Sequence, residues 1–324
     1  MAVYTDVSDE ALTAFLADYA LGDLTECRGI AEGVENSNFL LRTTQGQFIL
    51  TLYEKRVNEQ ELPWFLELMQ HLATQGVACP QPVADKAGQM LKVLAGRPAA
   101  ITTFLSGAWP KVIHQSHCRP LGQVLARLHL AGQSYAPLRV NGLGPQAWRP
   151  LLASCGTAAD DVLPGLTDEI EAALARILPF WPGADGQPDL PRGQIHADLF
   201  PDNVFFLEDE LSGVIDFYFA CSDLLAYDIA ICLNAWCFDA EGRFNARFAQ
   251  GILRGYEEVR PLAVAEKKAL PVLARGAAMR FLLTRLYDWI NTPADALVTR
   301  KDPLDYLKRL RFHLARETLD GYGL

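Results

Sequence analysis

No run among the 324 residues reaches the roughly 18 apolar positions that a membrane-spanning helix needs, and the opening Met1-Ala2-Val3-Tyr4-Thr5-Asp6 sets no basic stretch ahead of an apolar one. Neither a membrane partner nor a secretory leader is expected, and the address reads as cytoplasmic. Basic charge is short as well: 29 Lys and Arg stand against 39 Asp and Glu, a formal net charge of -10. A nucleic-acid partner, whose phosphates call for a basic face, is not expected, whereas a cationic or zwitterionic small molecule is favoured. The seven cysteines are odd in number and contain no Cys-x-x-Cys pair, and the six histidines form no cluster at ligand spacing. Reduced, buried thiols are expected, not a disulfide framework or a zinc site. Repeats and low-complexity segments are missing too, so a chain 50% hydrophobic and 21% charged is expected to fold throughout, into two lobes with separate cores.

Against those absences stands one ordered set of polar residues. His196-Ala197-Asp198-Leu199-Phe200-Pro201-Asp202-Asn203 is followed by Leu211-Ser212-Gly213-Val214-Ile215-Asp216-Phe217. Phosphoryl transfer to a hydroxyl needs little covalent help; it asks for positioned charge, a metal and one weak base. Kinases meet that need with a loop Asp that takes the acceptor's proton, a later Asn that binds Mg2+, and a strand-borne Asp-Phe that supplies a metal carboxylate. Asp198, Asn203 and Asp216 keep this order and spacing. Asp198 is thus the expected base, and Asn203 and Asp216 the expected Mg2+ ligands, both hard oxygen donors. His196 belongs to the same catalytic loop and is expected to brace it by hydrogen bonds. Turn capping around three strands, 193–196, 203–207 and 211–216, is the structural alternative. Ala197 stands where protein kinases carry Arg, and neither Asp-Phe-Gly nor Ala-Pro-Glu occurs. A small-molecule acceptor, and activity without phosphorylation of the chain, are therefore expected.

Hydrophobic periodicity places this motif in an α+β chain. Leu12, Phe15, Leu16 and Tyr19 predict a helix over 9–20. Two strands, 38–44 and 48–53, flank Gln45-Gly46, and a helix over 59–75 carries Pro63 in its first turn and stops at Gly76. Strands over 89–94 and 98–104 meet at Ala95-Gly96, and Leu105-Ser106-Gly107 ends the sheet. A small nucleotide-binding lobe is expected over 1–106 and a larger, mainly helical lobe for catalysis and substrate over 107–324. In the second, helices are expected over 117–132, 223–238, 243–259, 265–291 and 303–319, with loops at 134–150 and 182–193. His129 is expected to satisfy itself on backbone at its helix end, and Lys308-Arg309-Leu310-Arg311 to be a solvated helix face.

The nucleotide end is less marked. Gly33-Val34-Glu35-Asn36-Ser37-Asn38 precedes the first hairpin and offers backbone amides to phosphates, although the same residues make ordinary turns. Gly33, Asn36, Ser37 and Asn38 are the expected ATP-phosphate residues. Thr51 occupies the strand position where kinases carry a phosphate-anchoring Lys; Lys55 or Arg56 is the expected substitute, with Glu61 or Glu67 as its acidic partner or else simply facing solvent. The strand leaving the small lobe, through Thr103, Phe104 and Leu105, is expected to receive the adenine.

Four segments together resemble the aminoglycoside phosphotransferase and choline kinase superfamily, and within it the homoserine kinases. They are Glu61-Leu62-Pro63-Trp64-Phe65-Leu66, the run His196 to Phe206, Ile215-Asp216-Phe217-Tyr218-Phe219-Ala220-Cys221, and Tyr227 to Cys237. The resemblance covers nearly the whole chain. It implies a bilobal protein-kinase-like fold and ATP- and Mg2+-dependent phosphorylation of L-homoserine, with Asp198 as base and Asn203 and Asp216 on the metal. An amino-acid acceptor would ask for a carboxylate to meet its ammonium, and Asp202, Asp223 and Asp228 are the candidates; capping of the following helix is the alternative for Asp223. Another small-molecule kinase of the superfamily, acting on an aminoglycoside, choline-like amine or sugar, and a catalytically silent nucleotide-binding protein are the rival readings.

Overall fold

Ser8 accepts the Ala11 N–H and so starts helix α1 (Asp9–Leu16). The helix ends earlier than its apolar spacing predicts, because Lys86 takes the carbonyls that would continue it: its N–H donates to Asp18 O and its Nζ to Ala17 O. Tyr19 still reaches the core from the turn beyond. The computed structural model describes residues 4–30, 36–54, 58–292 and 300–324. Its first compact unit comprises Met1–Gly107 together with Ser212–Tyr218, and its second Ala108–Leu211 with Phe219–Leu324. The chain re-enters the first unit at Ser212 and leaves it after Tyr218.

The first unit is built on a five-stranded antiparallel sheet in the order β1-β2-β3-β5-β4: β1 (Leu24–Gly29), β2 (Ser37–Thr43), β3 (Gly46–Leu52), β4 (Lys92–Leu94) and β5 (Arg97–Thr103). The β2–β3 turn falls on Thr44-Gln45, one residue earlier than expected, since Thr43 pairs with Gly46. The β4–β5 turn is Ala95-Gly96, both left-handed at φ 51° and 73°, the geometry that suits two-residue hairpins. Phe39, Leu41, Leu50, Leu52 and Ile101 on the sheet pack with Leu12, Phe15 and Leu16 of α1. After a 3-10 turn at Glu59–Glu61, helix α2 (Leu62–Thr74) buries Leu62, Phe65, Leu66, Met69 and Leu72, and Gly76 at φ 83° closes it.

In the second unit, α3 (Gln115–Gly132) is followed by α4 (Pro145–Cys155), which begins inside the expected loop because Pro145 is preorganised for a helix's first turn. Then come α5 (Ala158–Val162), α6 (Leu166–Ile177), β6 (Arg192–Ile195), β7 (Val204–Leu207), β8 (Glu210–Val214), which from Ser212 counts with the first unit, β9 (Cys221–Leu224), α7 (Leu225–Trp236), α8 (Ala246–Glu257), α9 (Val264–Asn291) and α10 (Leu304–Leu314). β6 pairs antiparallel with β9, a strand that sequence pattern did not predict, and β7 pairs with β8. Every residue of α7 is buried, which makes it the central helix of the unit. α3 and α8 cross at backbone contact: a Cβ on Gly122 would lie 2.0 Å from Ile252 O, and one on Gly255 2.1 Å from Arg119 O. No helix among the described residues is long and apolar enough to cross a membrane. All seven thiols are free, six of them buried.

Candidate active site

The loop that carries Asp198 leaves β6 through a backbone conformation that most residues avoid. Ala197 sits at φ 62°, in the left-handed region that costs an L-residue about 1–2 kcal/mol. Three side chains of the second unit hold it there. Asp228 on α7 accepts the His196 N–H at Oδ2 (2.7 Å) and the Ala197 N–H at Oδ1 (2.9 Å). Arg280 on α9 donates through Nη1 to the Ala197 carbonyl, its guanidinium stacked 4.6 Å from the Phe281 ring. His129 on α3 donates from Nε2 to Asp228 Oδ2 (3.2 Å) and shares a 2.7 Å hydrogen bond between Nδ1 and the Tyr256 hydroxyl on α8. Asp228 and His129 are fully buried. Burial would push the Asp228 carboxyl up, but the His129 hydrogen bond and charge, the field of His196 and the His196 amide together hold it below the usual carboxylate value.

From this held backbone Asp198 projects. Its N–H donates to His196 Nδ1 (3.3 Å), and its carbonyl accepts from Asn203 Nδ2 (2.8 Å), which also faces Asp198 Oδ2 at 3.4 Å. Asn203 ends the 3-10 turn Pro201–Asn203, and its amide oxygen is a hard donor. The Trp236 indole N–H donates to Leu199 O (2.8 Å) and pins the turn from α7. His196 is wholly buried and acts on Asp198 through its backbone, as a brace.

Asp216 belongs to the first unit. It lies beyond the end of β8, not on the strand as expected, and adopts φ 66°. Its segment is anchored by Val214 N–H to Ala78 O (2.9 Å) and by Tyr218, whose hydroxyl meets Tyr53 Oη at 2.8 Å and whose ring lies 5.7 Å from Phe65. Burial pushes both phenols far above their ordinary value. An amide oxygen, as on Asn203, and a carboxylate, as on Asp216, are each the hard donor type that Mg2+ takes. Among the described residues no cluster of three or more His, Cys, Asp or Glu offers an alternative metal site.

The remaining expected residues divide. Gly33, Lys55 and Arg56 lie outside the described residues. The side chains of Asn36, Ser37 and Asn38 serve the first unit itself. Asn36 Oδ1 accepts the Glu54 N–H, Ser37 Oγ accepts from Tyr4 and Thr5 and donates to Glu54, and Asn38 Oδ1 accepts the Thr51 hydroxyl at 2.8 Å. Thr51 thus fills the usual Lys position as a cross-strand partner. Thr103 ends β5, its Oγ1 accepting the Gln81 N–H, and Phe104 and Leu105 follow it, Phe104 exposed and Leu105 half-buried. Asp202 is exposed. Asp223 is not open to an ammonium: it accepts from Asn141 Nδ2, Arg192 Nη1 and the Leu224 N–H, the last of these being its nearest approach to capping α7. Asp228 is likewise spent, on the loop amides. His129 finds side-chain partners where backbone ones were expected, and Arg309 is no solvated residue, since it stacks 4.5 Å from the Tyr306 ring and donates to Asn234 O. Sequence reasoning missed Arg280 and Tyr256 altogether; both act from more than 50 residues away, where spacing carries no signal.

The description of the phosphotransferase enzyme family matches residues 26–262. Homoserine kinase of Gluconacetobacter diazotrophicus is 66% identical over 324 residues, and that of Granulibacter bethesdensis 61%, each match covering 100% of both chains. Among solved structures, amicoumacin kinase hAmiN in complex with AMP-PNP, Ca2+ and Ami superposes with a TM-score of 0.69 at 16% identity, covering 95% of this chain and 94% of that one. Aminoglycoside phosphotransferase from Alicyclobacillus acidocaldarius gives 0.65 at 15%, covering 96% and 94%. The chain belongs to the phosphotransferase enzyme family and is a kinase. Its α+β fold is the protein-kinase-like fold of these aminoglycoside phosphotransferases.

Proposed function

We propose that the protein transfers the γ-phosphoryl group of Mg2+-ATP to the side-chain hydroxyl of L-homoserine, giving O-phospho-L-homoserine and ADP in the cytoplasm, the step before threonine formation. The observation that carries this reading is identity of 61–66% over the full length to homoserine kinases. The loop geometry is in keeping with it. Asp198 accepts the hydroxyl proton as the acceptor oxygen bonds to the γ-phosphorus and the bond to the bridging oxygen breaks. It needs no unusual basicity, because the transition state is loose and the proton moves late. His196, Asp228 and Arg280 fix the Asp198 backbone so that the carboxylate meets the acceptor without reorganisation. Asn203 and Asp216 hold the metal. Mg2+ held there would neutralise charge developing on the transferring phosphoryl group. Asn36, Ser37 and Asn38, together with Gly33, contribute backbone amides to the phosphates, Lys55 or Arg56 supplies the phosphate cation, and Thr103, Phe104 and Leu105 meet the adenine. Asp202, the exposed acid of the turn, is the remaining candidate for the acceptor's ammonium.

The test is ADP release with Mg2+-ATP against L-homoserine, L-serine, L-threonine, choline and an aminoglycoside, with Asp198→Asn alongside. Homoserine-selective turnover that falls by about 10^2–10^4 in the variant is expected. Selectivity for another acceptor would refute the substrate, and turnover indifferent to Asp198 would refute the base.

A further inference from the structure

Around the catalytic loop, aromatic rings hold more cations than the loop itself uses. Phe200, two residues after Asp198, packs on Phe281 of α9 with ring centroids 4.9 Å apart, and Phe281 packs on Tyr306 of α10 at 5.2 Å. Arg285 follows Phe281 by four residues, so it projects from the same face of α9 one turn further along. Its guanidinium stacks 4.5 Å from the Tyr306 ring, and a second cation, Arg309, lies at the same distance from that ring. Two like charges on one ring would repel unless something else compensates them.

These cations differ in what they do. Arg309 donates to Asn234 O at 2.7 Å and Arg280 to Ala197 O, so both are committed to the fold. Among the described residues Arg285 has one hydrogen bond, 3.4 Å from Nη1 to Asp302 O, and forms no ion pair, although the charges of Asp305 and Asp198 act on it from farther off. Beside it, the Tyr306 hydroxyl is fully buried and has no hydrogen-bond partner among them. A planar fork of N–H donors and an orphaned hydroxyl, held a few side chains from the catalytic Asp, make a receptor for a planar anion. Burial holds the Arg285 guanidinium below its ordinary value, and among the charges acting on it is that of Asp198; burial likewise pushes Tyr306 up to about 12, again with Asp198 contributing. Both groups therefore lie within the field of the base.

The geometry points to Arg285 as the residue that takes the α-carboxylate of the acceptor in a forked pair of N–H···O bonds, with the Tyr306 hydroxyl as a further donor. This rests on L-homoserine being the acceptor and makes Arg285 the residue that selects a hydroxyl-bearing amino acid over the amino alcohol lacking its carboxylate. The cation could alternatively serve a nucleotide phosphate, so the test separates the two.

Steady-state kinetics on the full chain would compare L-homoserine with 3-aminopropan-1-ol, the same molecule without its carboxylate, in wild type, Arg285→Met and Tyr306→Phe. Arg285→Met is expected to raise the homoserine KM by about 10- to 100-fold while the KM values for 3-aminopropan-1-ol and ATP stay within about twofold. Tyr306→Phe removes only an unpartnered hydroxyl, so folding survives it, and the same selective rise of smaller size is expected. Equal losses on both acceptors, a rise confined to the ATP KM, or an unchanged homoserine KM in Tyr306→Phe and Arg285→Met would overturn the assignment. Absence of homoserine turnover in the wild type, seen before any variant is compared, would instead refute the acceptor itself and the carboxylate site with it.

Discussion

Asp228 and Ala197 are joined by a 2.9 Å hydrogen bond in which a buried carboxylate on a central helix accepts the N–H of a residue held at φ 62°. The strain at Ala197 and the burial of Asp228 offset one another: the carboxylate gains charge-assisted donors that only this backbone conformation presents.

Replacing Asp228 by Asn keeps the shape but turns one acceptor into a donor that faces backbone N–H groups. A stability loss of about 2–3 kcal/mol is expected from urea unfolding, with a larger proportional loss in kcat than in substrate KM, because Asp198 is misplaced while substrate contacts persist. An unchanged kcat in a folded variant would show that the brace does not position the base.

Gly255→Ala tests the same machinery from a distance. The added methyl would meet Arg119 O at 2.1 Å and push α8 from α3, and these helices carry Tyr256 and His129. Overpacking should cost about 1–3 kcal/mol and lower kcat, whereas substitution at exposed Gly76, where a Cβ meets nothing within 4 Å, should cost only the strain of its φ of 83°. Thermal melts and turnover on the two variants decide it.

In the first unit, Tyr53→Phe or Tyr218→Phe alone leaves one hydroxyl of a part-buried pair without its partner, at a cost of about 1–3 kcal/mol. The double variant removes both hydroxyls and is expected to recover most of that loss, which a double-mutant cycle by chemical denaturation measures.

His313 supplies a pH dependence. Burial, then the charges of Arg275, Arg309 and Arg316, lower its pKa to about 3, and its neutral ring donates from Nε2 to Asn234 Oδ1 and accepts the Tyr322 hydroxyl at Nδ1. The folded value lies below the unfolded one of about 6.5, so the unfolded chain binds the proton first, and stability complete above pH 6.5 is lost as pH falls toward 3. Between pH 7.5 and pH 5 the wild type should lose about 2 kcal/mol more than His313→Gln. Parallel pH profiles of the two would refute this.

What sequence reveals here follows from range. The Ala95-Gly96 turn, the Gly76 stop and the order Asp198, Asn203, Asp216 are local and were legible. The strand β1 was not: it lies at the sheet edge with only Leu24 and Glu26 half-buried and the rest exposed, so no apolar alternation marks it. Left-handed backbone at Asp216 carries no signal in a non-glycine residue, and so a strand was expected through it. The carboxylate of Asp228 looked available for a ligand because its three donors come from residues 31 to 99 positions away.

The brace also sets when in the chain's history activity can exist. Asp198 is synthesised before α7, α8 and α9, yet its backbone acquires its shape only when α3, α7, α8 and α9 have met around residues 196 and 197. Contacts that distant form late, after their loops have closed. During refolding, helical signal should therefore return ahead of turnover, and catalysis reports the completion of the second unit and not merely its presence.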